Sequence, residues 1–186
     1  MTDFVTNSFQ KPILIAYALG TKEYQDCLKS SNDQSKRDKD IQFEDKVGDS
    51  KFFVRVYLVS EFENFRQQVF VGNDFIASLS GCDSWQTSGG KSGATFFKTS
   101  DGRFLLKEVK DTESKTFQKI SKRYFDYLTN ANERSCMAKI IGLYTVAYKT
   151  MSSSLKKNFI VMENLFYNHR ISESFDLKVC NTILEY

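Results

Sequence analysis

A glycine-rich turn and a strand lysine stand close together in residues 88–109, which read SGGKSGATFFKTSDGRFLLKEV. The turn consists of Gly89, Gly90, Lys91, Ser92 and Gly93. Its glycines free backbone N–H groups to surround phosphate oxygens. Lys107, on the second of the two strands that follow, supplies an ammonium group for the same phosphates. This order of parts predicts a binding site for nucleotide phosphates.

The turn differs from the two best-known phosphate loops. A Walker A loop has a glycine five residues before the glycine of Gly-Lys-Ser, whereas here that position holds Trp85. It also opens a helix, but residues 94–97 read as a strand. The spacing of the protein-kinase glycine loop is absent as well. Taken alone, the turn is more typical of a flexible surface loop. Lys107 on a following strand, together with the family resemblance described below, favours the phosphate-binding interpretation.

A lysine that serves phosphates is usually held by a carboxylate. The helix expected after Lys107 offers Glu113 near its start and Asp126 further along, and Glu113 is the better candidate because it is nearer the strand. Alternatively, Glu113 stabilises the positive N-terminal end of that helix. The sequence leaves both roles open.

The expected elements define an α+β fold, with an antiparallel sheet and helices packed against it. Asp101-Gly102 between two apolar runs predicts a hairpin. Helices are predicted over 61–79, with a break at Gly72-Asn73, and over 112–131, where Thr112 is a candidate cap. Strands are predicted over 51–59, 94–99, 103–109, 139–148 and 158–163.

The polar run 29–40 predicts a linker, so residues 1–40 form a variable segment and a domain starts at residue 41 and continues to 186. The apolar stretch 12–19 is too short to span a bilayer and reads as a strand or short helix. The net charge of +3 does not indicate nucleic acid. The four cysteines are widely spaced and His169 is the only histidine, so no metal site is predicted.

Blocks along residues 41–178 together resemble the catalytic domain of phosphatidylinositol phosphate kinases, and most closely its type III, PIKfyve-like branch. The blocks are SLSGCDSWQTSGGKSGATFF, DGRFLLKEV, RYFDYLTNA, AKIIGLYTVAYK, VMENLFYNHRI and FDLK. The resemblance implies the amino-terminal lobe of the SAICAR synthase-like fold. It implies that ATP, with Mg²⁺, phosphorylates an inositol hydroxyl of a membrane phosphoinositide, most closely phosphatidylinositol 3-phosphate at position 5.

The resemblance also assigns residues. Gly89 to Gly93 become the phosphate loop and Lys107 the lysine that contacts ATP, with Glu113 as its acidic partner. The connector to the second lobe, which binds the adenine, is formed by Met162, Glu163, Asn164 and Leu165. Asp176 and Lys178 fall in the phosphate-proximal motif Phe-Asp-Leu-Lys, although Val179 replaces the glycine that follows it in the family.

The family's catalytic base and the rest of its larger lobe have no counterpart before Tyr186. We therefore expect a lobe fragment that is inactive alone and exposes an apolar face to a second lobe or a scaffold protein. The full-length protein is expected to be cytoplasmic and peripheral on endosomal or vacuolar membranes. The alternative is a non-catalytic kinase-like module that binds nucleotide or partners. An unrelated α+β domain with a chance glycine loop is a third possibility.

Overall fold

The computed structural model describes residues 11–30, 40–47, 49–70, 74–85, 94–130, 135–151 and 153–173. The helices are α1 (Lys11–Gly20), α2 (Lys22–Ser30), α3 (Val59–Val69), α4 (Phe75–Ser80) and α5 (Asp111–Asn130). The strands are β1 (Ile41–Val47), β2 (Ser50–Val56), β3 (Cys82–Trp85), β4 (Phe96–Thr99), β5 (Phe104–Val109), β6 (Ile140–Lys149) and β7 (Ser154–Glu163).

The strands form one seven-stranded sheet in the order β1-β2-β6-β7-β5-β4-β3, and every neighbouring pair is antiparallel. The predicted α+β class with an antiparallel sheet is confirmed. Side chains alternate between the two faces of a strand. On β5, Phe104 and Leu106 point into the main core and are almost fully buried, whereas Lys107 lies on the opposite face. We call this second face the Lys107 face; Phe96 and Ile160 flank Lys107 on it.

Helix α1 packs into the same core as the sheet, through Leu14, Ile15, Ala18 and Leu19, each at most 3% exposed. The apolar stretch is thus a helix, one of the two forms predicted for it. None of the helices within the described ranges combines the length and apolarity required to cross a bilayer. The domain boundary at residue 40 stays a prediction.

Helix α5 is anchored by an aromatic cluster. Its Phe117 stacks on Phe62 of α3, with ring centroids 5.9 Å apart, and its Phe125 meets Phe62 edge to face at 5.2 Å. Tyr124 of α5 adds a polar anchor, because its hydroxyl accepts from the backbone N–H of Ile140 at 2.5 Å. Aromatic pairs in these geometries contribute about 0.5–1.5 kcal/mol each beyond the area they bury. The helix that carries Glu113 is therefore fixed along much of its length.

A buried arginine stabilises an irregular point in the sheet. The register of β6 against β7 shifts between Ile140 and Gly142, which leaves Ile141 as an extra residue. The guanidinium of Arg66 in α3 donates to the Ile141 carbonyl at 2.8 Å, to the Tyr24 hydroxyl at 2.9 Å and to Glu63 at 2.6 Å. Arg66 thereby supplies a buried hydrogen-bond donor for the Ile141 carbonyl, which belongs to the extra residue of the bulge.

The structure corrects several element boundaries. The strand expected over 51–59 ends at Val56, because Leu58 has a positive φ of 50° and helix α3 begins at Val59. Strand β7 begins at Ser154, earlier than the expected residue 158. Thr112 is not the helix cap, since α5 begins at Asp111. Strands β1 and β3 lie at the two edges of the sheet and were not predicted. The hairpin at Asp101-Gly102 is confirmed, with Gly102 at φ 76°.

Candidate nucleotide-phosphate site

Strand β5 positions Lys107 at a junction of three strands. Lys107 is opposite Phe96 on β4 and opposite Ile160 on β7. The β-rich sequence FLLKEV keeps the strand in register, and alternation directs the lysine away from the buried Leu106. Its side chain is 28% exposed, so the ammonium group is accessible at the Lys107 face.

The carboxylate of Glu113 serves two partners. Its Oε1 lies 3.6 Å from Lys107 Nζ, and its Oε2 accepts from the backbone N–H of Lys110 at 2.8 Å. Lys110 immediately precedes α5, so Glu113 acts as the reaching-back half of a capping box. The pKa of Glu113 lies below its usual value. The hydrogen bond from the Lys110 N–H is the larger cause and the charge of Lys107 a smaller one, whereas partial burial acts in the opposite direction. Glu113 therefore both pairs with Lys107 and stabilises the start of α5, the two roles that the sequence left open.

A cavity of about 710 Å³ lies beside this pair. Its lining includes four lysines, Lys107, Lys110, Lys156 and Lys157, together with Ala94. Ala94 is the first described residue after the predicted phosphate loop and stands two residues before β4. The four lysines outnumber the three carboxylates in the lining, so the cavity carries a small excess of positive charge, which favours phosphate groups.

The cavity's acidic side chains already have partners. Glu108 pairs with Lys157, and Asp111 accepts from the Asn158 amide at 2.5 Å. Together with Glu113 these contacts order the start of α5 and the end of β5 around the lysines. Sequence reasoning missed Lys110, Lys156 and Lys157 as cavity residues. For Lys156 and Lys157 the reason is that only the antiparallel register brings β7 alongside β5.

A second, smaller cavity of about 360 Å³ also borders Lys107 and Glu113. It is lined mainly by apolar side chains, among them Val109, Phe117 and Ile160. The pair thus stands between a lysine-rich cavity and a mainly apolar one.

The predicted connector consists of the last two residues of β7, Met162 and Glu163, and the two residues that follow. Met162 shares the Lys107 face, since it lies two residues after Ile160 on the same strand. The Glu163 carboxylate accepts from the backbone N–H and ammonium of Lys139, at 2.8 and 2.9 Å. The Asn164 amide donates to the Gly102 carbonyl at 2.6 Å, which ties the connector to the β4–β5 hairpin. The side chains of Glu163 and Asn164 therefore hold the connector in place, and Met162 lies on the Lys107 face.

Large apolar side chains are exposed at the end of the connector and just after it. Leu165, Phe166 and Ile171 are 51%, 50% and 44% exposed. Exposed apolar patches are typical of docking surfaces. The second lobe expected to cover such a face stays a prediction.

Several predicted site residues lie outside the described residues. They are Gly89, Gly90, Lys91, Ser92, Gly93, Asp176 and Lys178. Their roles stay predictions. The structure brings together Lys107 and Glu113, and it places Met162 on the same face of the sheet.

Comparison with known proteins identifies this lobe. Residues 80–182 match the family model described as Phosphatidylinositol-4-phosphate 5-Kinase, which is more than half of the chain. The antiparallel sheet, with Lys107 on a strand and Glu113 on the following helix, therefore belongs to a phosphoinositide-kinase domain. The chain is a member of the phosphatidylinositol-4-phosphate 5-kinase family.

Among curated relatives, the chain is 40% identical over 146 residues to the human 1-phosphatidylinositol 3-phosphate 5-kinase. The match covers 75% of this chain and 7% of that protein. It is also 38% identical over 130 residues to the Saccharomyces cerevisiae enzyme of that name, covering 67% of this chain and 6% of the relative. The resemblance to the type III branch is confirmed, and the chain spans less than a tenth of the length of these relatives.

Proposed function

We propose that this chain forms the ATP-phosphate side of a lipid kinase that, in the full-length protein, phosphorylates a phosphoinositide. The substrate proposed is phosphatidylinositol 3-phosphate, converted to the 3,5-bisphosphate, since the relatives are named for that reaction. The single observation that carries the proposal is the Lys107–Glu113 pair at the rim of a cationic cavity reached by the segment after the glycine turn.

The chain's own residues have defined tasks in this proposal. Glu113 holds the Lys107 ammonium near the cavity, so that less conformational entropy is lost when a phosphate binds. Lys107, helped by the turn 89–93, neutralises the triphosphate and orients its terminal phosphoryl group. Charge neutralisation and positioning are the main protein contributions to phosphoryl transfer. Met162, on the same face, offers an apolar contact for the adenine.

Magnesium enters the proposal only as the ion that accompanies ATP. Within the described ranges no three side chains among His, Cys, Asp and Glu come together to hold a metal. A bound Mg²⁺ supplies charge neutralisation between phosphate oxygens. The residues that match the family's phosphate-proximal motif, Asp176 and Lys178, are proposed to lie close to those phosphates. Peripheral attachment of the full-length protein to endosomal or vacuolar membranes is part of the same proposal.

Nucleotide titration of the 186-residue chain tests this function. Lys107→Ala is expected to weaken the binding of a fluorescent ATP analogue by about tenfold or more, because it removes a charged phosphate contact worth roughly 1.5–3 kcal/mol. Lys119→Ala, on the exposed side of α5, serves as the matched control and should leave affinity unchanged. Equal affinity for Lys107→Ala and the parent chain rejects the assignment.

Assay of the full-length protein separates the kinase from the non-catalytic alternative. With phosphatidylinositol 3-phosphate in vesicles, the parent protein should form the bisphosphate and Lys107→Ala should not. Nucleotide binding without any lipid phosphorylation would establish the binding module instead.

A further inference from the structure

Four polar side chains form a hydrogen-bonded chain across the Lys107 face of the sheet. The Thr145 hydroxyl on β6 donates to Asn158 Oδ1 on β7 at 2.6 Å, and the Asn158 amide donates to the Asp111 carboxylate at 2.5 Å. The Tyr57 hydroxyl lies 2.9 Å from Thr145 Oγ1. We call these four residues the cross-sheet chain. It begins beside the start of α3, at Tyr57, and ends at the first residue of α5.

The hydrogen bonds of the cross-sheet chain all run in one direction. A hydroxyl has a single proton to donate, and Thr145 donates its proton to Asn158. Tyr57 is therefore the donor in its contact with Thr145. Donors thus follow one another from Tyr57 to the carboxylate of Asp111, and hydrogen bonds in such a series strengthen one another. A break at Thr145 consequently weakens the contact at Asp111.

The middle of the cross-sheet chain is buried beside apolar side chains. Thr145 is 1% and Asn158 6% exposed, and their neighbours on this face include the buried Leu143 and Val109. A buried amide that loses its hydrogen-bond partner carries the full cost of its desolvation. The Asn158 amide is satisfied by Asp111, so a displaced Asp111 would leave a buried donor without its acceptor. The chain therefore favours one position of Asp111 over others.

Asn158 holds both sides of the junction between β5 and α5. In the sheet it is directly opposite Val109, the last residue of β5, and its side chain binds Asp111, the first residue of α5. Only Lys110 lies between these two residues. The N–H of Lys110 is the group that the Glu113 carboxylate accepts from. The position of that carboxylate beside the strand lysine therefore depends on the junction that Asn158 holds.

We propose that Thr145 and Asn158 are positioning residues for the nucleotide site. The cross-sheet chain fixes the first residue of α5 and thereby holds the Glu113 carboxylate beside Lys107. The consequence for ATP rests on the proposed function, whereas the placement of Glu113 does not. Asn158 itself lines the phosphate cavity, but Thr145 lies behind it on the next strand. An effect of Thr145 on the site is therefore transmitted by the chain and not by contact with a ligand.

NMR titration of the Glu113 carboxyl group in the 186-residue chain tests the placement. In the parent the Lys110 N–H and the Lys107 charge hold the pKa of Glu113 below its usual value. Thr145→Val keeps the shape of the side chain but interrupts the cross-sheet chain. In this variant the pKa of Glu113 should rise towards its usual value, because the carboxylate is no longer held beside both partners. Asn158→Leu should give a larger rise.

Thr99→Val is the matched control for Thr145→Val. Thr99 is also 1% exposed and hydrogen-bonded within the sheet, but its partners belong to the β4–β5 hairpin. The control therefore makes the same change at the same burial, far along the sheet from the start of α5. It should leave the pKa of Glu113 unchanged. Circular dichroism of each variant first establishes that it is folded at the temperature of the titration.

Titration of the fluorescent ATP analogue shows whether the placement matters for the nucleotide. Thr145→Val should weaken binding about fivefold, the equilibrium equivalent of one neutral hydrogen bond, and Thr99→Val should bind as the parent does. In a Glu113→Ala background, Thr145→Val should cause no further loss, because residues that act through one another are not additive.

Three results would each overturn the proposal. They are a pKa of Glu113 that is the same in Thr145→Val and the parent, an equal rise in Thr99→Val, and a loss of affinity from Thr145→Val that persists undiminished without Glu113. The proposed function fails separately. If Lys107→Ala binds the analogue as the parent does while Thr145→Val still raises the pKa of Glu113, the nucleotide role is rejected and the positioning of Glu113 is retained.

Discussion

The carboxylate of Glu113 lies 3.6 Å from the ammonium of Lys107 and also caps the helix on which it stands. One side chain thus links the start of α5 to the strand lysine proposed to bind ATP. Because the cap fixes the carboxylate, the direction in which Lys107 points depends on where α5 begins.

Glu113→Gln and Glu113→Ala separate the two roles. Glutamine keeps an oxygen for the Lys110 N–H but removes the charge that faces Lys107, whereas alanine removes both. We expect the alanine variant to lose about 1 kcal/mol of the free energy of unfolding and the glutamine variant less than half of that. Both should weaken binding of the ATP analogue. Urea denaturation and nucleotide titration measure the two effects, and a glutamine variant with parental affinity would show that only the cap matters.

The hydrogen-bonded carboxylate of Asp101 is expected to make the stability of the β4–β5 hairpin sensitive to acid. Partial burial would raise its pKa, but hydrogen bonds from Ser78, Thr99 and Arg103 outweigh this and hold the pKa well below its usual value. Its contribution is therefore full above the unfolded pKa of about 3.9 and is lost as the pH falls towards the lower folded value.

The measurement is urea denaturation of the parent chain and Asp101→Asn across pH. We expect the parent to be more stable by about 1–2 kcal/mol at neutral pH, and this difference to shrink below about pH 4 as the carboxylate protonates. Asp126→Asn, exposed on α5, should match the parent at every pH. A constant Asp101→Asn difference from neutral pH to pH 2 would contradict the assignment.

Tyr124 is expected to anchor α5 to β6. Tyr124→Phe leaves the backbone N–H of Ile140 without the hydroxyl that it now contacts at 2.5 Å, at a cost of about 1–3 kcal/mol. Tyr127→Phe on the same helix is the control, because Tyr127 is 54% exposed. Thermal denaturation of both variants tests this. Identical unfolding midpoints for Tyr124→Phe and Tyr127→Phe would show that the Tyr124 hydroxyl does not anchor the helix.

Gly142 is required by close packing in β6. A Cβ there would meet the ring of the fully buried Tyr144 at 2.5 Å, so Gly142→Ala should destabilise by about 1–3 kcal/mol. Gly20 has open space at the same position, and Gly20→Ala should be neutral or slightly stabilising. The same denaturation assay measures both. Adding Tyr144→Leu to Gly142→Ala should cost less than the sum of the single changes, and strict additivity would show that the ring is not the obstacle.

The sequence predicts the central part of the fold because its strands there carry strong patterns. The runs around Asp101-Gly102 and over 139–148 are apolar and β-branched, and both became central strands. Strands β1 and β3 were missed because edge strands bury less and carry polar residues such as Glu44 and Asp83. The early start of β7 was missed for a related reason, since Lys156 and Lys157 resemble a loop.

The candidate site was predictable only in part. The glycine turn, Lys107 and Glu113 follow one another in the sequence and could be recognised there, and the family resemblance assigns their roles. The lysines that β7 adds to the cavity depend on register, which the residue types leave undetermined.

The structure of the chain bound to a non-hydrolysable ATP analogue tests the central claim most directly. The account predicts a phosphate oxygen within about 3 Å of Lys107 Nζ, with the backbone of residues 89–93 against the same triphosphate. A nucleotide bound elsewhere, or a glycine turn on the face of the sheet opposite Lys107, would contradict the account.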